Sequence, residues 1–79
     1  MKRLSKAQIE YLEEKYKPGT IVELIHMDDP LAPPEGTRGK VFGVDSLGDI
    51  LVDWDNGSHL KIIPEVDSCR IISQEEVTA

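Results

Sequence analysis

The stretch Asp49-Ile50-Leu51-Val52-Asp53-Trp54-Asp55-Asn56-Gly57-Ser58-His59-Leu60-Lys61-Ile62-Ile63 decides the fold, because it holds two strand-like runs about one turn. Two registers are open to it. A two-residue Asn56-Gly57 turn sets Trp54 opposite His59 and Val52 opposite Lys61, which mixes apolar and charged groups on one face. A three-residue Asp55-Asn56-Gly57 loop with Gly57 left-handed instead pairs Trp54 with Ser58, Val52 with Leu60 and Ile50 with Ile62. Only the second gives a consistent inner face, so it is the expected one.

Upstream, Gly39–Val44 reads as the strand before this hairpin, turning at Asp45-Ser46-Leu47-Gly48. That loop pairs Gly43 with Ile50, Phe42 with Leu51, Val41 with Val52 and Gly39 with Trp54. Glycines opposite large side chains let a small sheet bend sharply. The same register makes Phe42 and Leu51 neighbours on the outer face, flanked by Lys61, with Lys40, Asp53 and His59 in a charged row. Thr20–Ile25 and Cys69–Ile72 supply two more β-branched runs, and Pro64-Glu65-Val66-Asp67 reads as one tight turn. With Ser58–Ile63 the runs number five, the signature of a compact, mainly β barrel.

The amino-terminal segment follows a different period. Ser5 and Gln8 have the spacing of a capping box, Leu4 and Ile9 that of a hydrophobic staple, and Ile9, Leu12 and Tyr16 form an apolar stripe. Lys6 to about Tyr16 is thus expected as an amphipathic helix ended by Pro18-Gly19. About three turns cannot persist alone in water, so the stripe must dock, and the Phe42–Leu51 pair is the expected place. The organisation read from the chain is a helical extension over 1–17, a barrel over 18–73 and a flexible tail over 74–79.

Seventy-nine residues accommodate one small domain. The lone Cys69 excludes an internal disulfide and suits a reducing cytoplasm, so the core is apolar or completed by a second copy. No apolar run approaches the roughly 18 residues of a membrane span, and a cytoplasmic protein is expected. The net charge of −6 is unevenly placed. Residues 1–17 carry five basic and three acidic side chains, whereas 18–79 carry four basic and 12 acidic. An acidic barrel suits a basic protein partner better than a phosphate backbone.

Motifs that carry chemistry are missing: no phosphate-cradling glycine loop, no zinc spacing, and no serine, cysteine or lysine with catalytic surroundings. The expectation is a protein without enzymatic activity, cofactor or metal. His26, Asp28 and Asp29 are poor metal ligands, because adjacent carboxylates do not readily point at one ion. Trp54 reads as a core anchor whose indole N–H needs a partner, His59 as the ion-pair partner of Asp53, and Cys69 as a small buried hydrophobe. The long stretch His26–Thr37 (HMDDPLAPPEGT) is the first choice for a binding surface, since irregular loops of this length often carry function. Its plainer reading is a packed loop whose Met27 and Leu31 plug an open end of the barrel.

Taken in order, Tyr16-Lys17-Pro18-Gly19-Thr20, His26-Met27-Asp28-Asp29-Pro30, Pro34-Glu35-Gly36-Thr37-Arg38-Gly39, Gly43-Val44-Asp45, Trp54-Asp55-Asn56-Gly57-Ser58 and Ile63-Pro64-Glu65-Val66-Asp67 form a pattern. It resembles domain-of-unknown-function family four-three-one-four of bacteria, phages and mobile elements. The resemblance spans nearly the whole chain. It implies a small SH3-like barrel with a helical extension, and it carries no established activity, ligand or catalytic residue. A shorter pattern, Gly36-Thr37-Arg38-Gly39-Lys40-Val41 followed by Gly48-Asp49-Ile50-Leu51-Val52, is similar to KOW-type barrels, some of which bind RNA or RNA polymerase.

The leading expectation is a protein-interaction module whose binding residues are Met27, Asp28, Asp29, Leu31, Arg38, Lys40, Phe42 and Leu51. A nucleic-acid-binding barrel using Arg38, Lys40 and the basic amino-terminal arm is the alternative. A third reading is a small-ligand-binding or sponge protein acting as a homo-oligomer.

Overall fold

The computed structural model describes residues 4–74. Helix α1 (Lys6–Lys15) is followed by strands β1 (Thr20–His26), β2 (Arg38–Val44), β3 (Ile50–Trp54) and β4 (Ser68–Gln74). The strands form one antiparallel open sheet in the order β3-β2-β1-β4. The tail expected over 74–79 lies outside the described residues, save the backbone of Gln74 that ends β4.

Alternation sorts the sheet into an inner and an outer face. Val22 and Leu24 of β1, Val41 of β2, and Ile50, Val52 and Trp54 of β3 are buried together with Tyr16, Met27 and Ile62. Gly39 sits opposite Trp54, and a Cβ there would come within 2.6 Å of Val52 Cγ1 and 2.8 Å of Trp54 Cε3. Its missing side chain is what lets the indole lie flat against β2.

The expected three-residue loop is present. Gly57 has φ 91°, the Trp54 N–H donates to the Ser58 carbonyl at 3.0 Å, and Ile50 and Ile62 exchange two backbone bonds of 2.9 Å. Between those points the Ser58–Ile63 run does not form the expected fifth strand; only the Ile50–Ile62 bridge remains. The cause lies in Trp54, whose buried Nε1–H donates to the Leu60 carbonyl at 2.9 Å. Satisfying that donor occupies the carbonyl, and the segment departs from the ladder.

A second departure lies in β2. Val41 pairs with Val52 as expected, but Gly43 pairs with Leu51 and Val44 with Ile50, so Phe42 is an extra residue, a β-bulge. Val41 and Val44 are three apart, yet both pack on the inner face. A strand of period two allows this only by inserting a residue. The expected Phe42–Leu51 pairing is therefore replaced, and the loop runs over 45–49.

Helix α1 begins with the expected capping box. The Gln8 N–H donates to Ser5 Oγ at 3.1 Å, and the Ser5 N–H donates to Gln8 Oε1 at 2.8 Å. Its stripe does not cover the outer pair. Leu12 and Tyr16 pack towards the core cluster instead, and Phe42 is left 55 % exposed. Core-side docking buries Tyr16, which a flat outer surface cannot do.

Leu4 and Ile9 close over Gly48, which has φ 90° and no room for a Cβ beneath the Leu4 side chain. Gly48→Ala thus adds strain and displaces the staple. We expect a loss of about 2 kcal/mol, read by chemical denaturation with a parallel drop in helical circular dichroism.

Candidate functional site

The His26–Thr37 loop is closed at its base by two bonds: the Leu24 N–H donates to the Thr37 carbonyl and the Gly36 N–H to the Leu24 carbonyl, each 2.8 Å. Inside it, Asp29 Oδ1 accepts from the Leu31 N–H at 2.7 Å and the Asp29 carbonyl from the Ala32 N–H at 3.0 Å. Aspartate favours such turns because its short side chain substitutes for a backbone acceptor. Met27 and Pro33 are buried and Ala32 is half-buried. Of the two apolar plugs expected, only Met27 enters the core; Leu31 points outward and is 78 % exposed. The Asp29 turn lifts Leu31 away from the core and fixes it in view of solvent.

Asp67 is a site residue that the sequence reading placed only within a turn. Its buried carboxylate accepts from the Asp28 N–H at 2.8 Å and from the Ile63 N–H at 2.8 Å. The expected tight turn is closed by Ile63 carbonyl bonds to Val66 and Asp67. Asp67 thereby ties the long loop to the last turn across 39 positions of sequence. A turn-closing aspartate just before the last strand was a visible signal; its distant partner was not.

The remaining candidates lie on the outer face of β2 and β3. Arg38 and Lys40 are exposed, and Phe42 stands four residues further on, about 13 Å along the strand. Leu51 is half-buried opposite Gly43. Arg38 thus adjoins the loop, while Phe42 and Leu51 belong to the far end of the sheet. Acids neutralise much of the basic charge nearby. Arg70 Nε donates to Glu23 Oε1 at 2.8 Å, Lys61 Nζ lies 3.1 Å from Asp45 and 3.4 Å from Asp49, and the exposed His59 is 2.9 Å from Asp53, the pair expected from the register.

Asp45 also organises the β2–β3 turn, where its Oδ1 accepts from the Leu47 and Asp49 N–H groups at 2.9 Å each. Burial alone would raise its carboxyl, but the Asp49 N–H, the Lys61 ammonium and the Leu47 N–H together outweigh this and hold it below its ordinary value. The bond to Asp45 correspondingly raises Lys61. At the helix end, burial first and the neighbouring Cys69 second push the Tyr16 hydroxyl up to about 12. Burial also raises the Cys69 thiol, even though Tyr16 and Lys15 act against it. This is a thiol held in its neutral form, unlike an activated nucleophile.

Among the described residues, no group of three or more His, Cys, Asp or Glu is placed to hold a metal ion, and no helix is long and apolar enough to cross a membrane. The family model described as "Domain of unknown function (DUF4314)" matches residues 5–72. The chain belongs to that family. The match spans α1, all the described strands but the end of β4, and the whole candidate loop of this DUF4314 chain. No curated protein and no solved structure matches it.

Two outcomes follow from this geometry. Asp67→Ala strands two part-buried N–H groups and should cost about 3 kcal/mol, with limited proteolysis newly cutting within 26–37. Asp45 has a lowered folded value, so its stabilisation is present above the ordinary 3.8 and is lost as pH falls below it. Asp45→Asn should therefore be less stable than the parent by about 0.5 kcal/mol at about pH 7, with the gap closing by about pH 2 in urea titrations.

Proposed function

We propose that this chain is a non-catalytic protein-interaction module, an accessory protein of a bacterium, phage or mobile element that works in the cytoplasm. Its architecture is that of a small SH3-like barrel. The 58–62 segment on the free edge of β3 supports this, since it gives five successive antiparallel segments around one core.

One observation carries the functional reading: an apolar side chain, Leu31, is 78 % exposed on a loop whose backbone is held by hydrogen bonds on both sides of it. Ordering such a loop in advance removes an entropic cost from binding. Asp28, Asp29 and Glu35 lie exposed on the same loop as Leu31, and none makes a salt bridge among the described residues. The partner surface is accordingly apolar at its centre and basic at its rim. Protein is favoured over nucleic acid because Lys61 and Arg70 are both engaged by acids, leaving Arg38 and Lys40 too few to track a phosphate backbone.

The test places a photo-crosslinking amino acid at Pro30 or Ala32 and irradiates the native host. A discrete protein adduct is expected. Purified partner should then bind the Asp28→Ala, Asp29→Ala, Leu31→Ala triple variant at least about ten-fold more weakly. Undiminished binding by the folded triple variant would remove the loop from the interface.

A further inference from the structure

Exposed apolar side chains are not spread evenly over the described residues. Ile25, Leu31, Ile63 and Val66 are each between 44 % and 78 % exposed, and the fold brings the segments that carry them to one end of the sheet. β1 finishes there, with His26 opposite Ser68, the first residue of β4. Ile25 has no partner across β4, because the register shifts between Leu24 and His26. Asp67 fastens the other segments to this end. Its two oxygens accept from the Asp28 N–H and the Ile63 N–H at 2.8 Å each, so the start of the long loop and the start of the last turn lie one carboxylate apart. The Ile63 carbonyl closes that turn on the Val66 N–H at 3.0 Å, and Asp29 holds the Leu31 N–H within the loop.

Acids accompany these apolar groups. Asp28, Asp29 and Glu35 of the loop and Glu65 of the turn are exposed and in no salt bridge among the described residues. On the adjoining strand ends Arg70 is taken by Glu23, which leaves Arg38 and His26 against four carboxylates. The other end of the sheet differs. Phe42 and Leu47 are exposed there, but Asp45 and Asp49 share Lys61.

We propose that Ile25 and the 63–66 turn extend the docking surface of the loop, and that the composite takes one short amphipathic segment of a partner protein, apolar on one side and flanked by lysine or arginine. This rests on the reading of the loop as the recognition site. Four side chains on three short stretches of chain are too few for the roughly 800 Å² per partner of a broad protein–protein interface, and they suit a single docked segment. Its apolar residues cover Ile25, Leu31, Ile63 and Val66, while its cations meet Asp28, Asp29, Glu35 and Glu65. Asp67 has a positioning role, since it sets the distance between the two halves from inside.

The test titrates isotope-labelled full-length protein with a synthetic amphipathic helix of leucine and lysine, about 15 residues long, and with a counterpart carrying glutamate for lysine. Amide shifts at 25–31 and at 63–66 are expected to saturate together, with one Kd, for the lysine peptide alone. Leu31→Ser and the double variant Ile63→Ser, Val66→Ser should each weaken that peptide at least about ten-fold, with the core amide shifts unchanged. Shifts confined to the loop, with the double variant binding like the parent, would overturn the composite and leave the loop reading standing. Shifts at 63–66 without the loop would remove both. Equal binding of the glutamate peptide, shifts centred elsewhere on the sheet, or no binding of either peptide at about 1 mM would overturn the basic segment as occupant, while the loop reading is decided separately by the cross-linked partner.

Discussion

The bond from the Trp54 indole N–H to the Leu60 carbonyl organises this small core. A buried indole without an acceptor would carry a penalty of several times a typical net hydrogen bond, so the donor has to be met inside. Leu60 is the residue within reach, and using its carbonyl ends regular pairing after one bridge. The ring in turn needs a neighbour without a side chain, which is why Gly39 stands opposite it. With Gly39 fixed against Trp54, Val41 falls on Val52, and the mismatch of spacing to Val44 and Ile50 is absorbed by the bulge at Phe42. The exposed Phe42 is thus a consequence of packing on the other face as much as a surface feature.

Asp67 connects that framework to the long loop. Its two oxygens hold Ile63, just past the Ile50–Ile62 bridge, and Asp28, at the start of the loop. Core register and loop position therefore share one carboxylate. No cation lies within salt-bridge distance of Asp67 among the described residues, so its two backbone N–H donors are what hold it. The acids at the loop consequently have separate roles. Asp67 holds the backbone from inside, while Asp28, Asp29 and Glu35 present their side chains to solvent.

What was legible in the sequence was whatever depends on neighbours. The capping box of Ser5 and Gln8, the left-handed Gly57, the pairing of Gly39 with Trp54 and the closing turn at Pro64 all rest on short-range spacing, and all are present. The family resemblance, read from an ordered set of such turns, is likewise met by the match over 5–72. What failed depended on competition between faces. Strict alternation carried Phe42 onto Leu51 because it has no means of inserting a residue, and the helix was assigned to the outer pair because the pattern cannot say which side of a sheet has a hole. Tyr16 decides that question by filling the core. The loop was read as a unit, but the opposite fates of Met27 and Leu31, 8 % and 78 % exposed, turn on the Asp29 hydrogen bond between them.

The charge distribution gains meaning from the same geometry. Residues 18–79, with 12 acids and four bases, would repel one another if the acids were evenly spread. They are not. Asp45 and Asp49 share Lys61, and Glu23 holds Arg70, so part of the charge on the outer face and β2–β3 turn is compensated within the chain. The acids of the long loop, Asp28, Asp29 and Glu35, are exposed and in no salt bridge among the described residues, on the same loop as the 78 % exposed Leu31. Exposed like charges on one loop are tolerable in water, and cations of the proposed partner would be attracted to them. The loop would then gain electrostatically on association, as the compensated part of the sheet would not, and this is the physical ground for the proposal that recognition lies at the loop rather than on the flat of the strands.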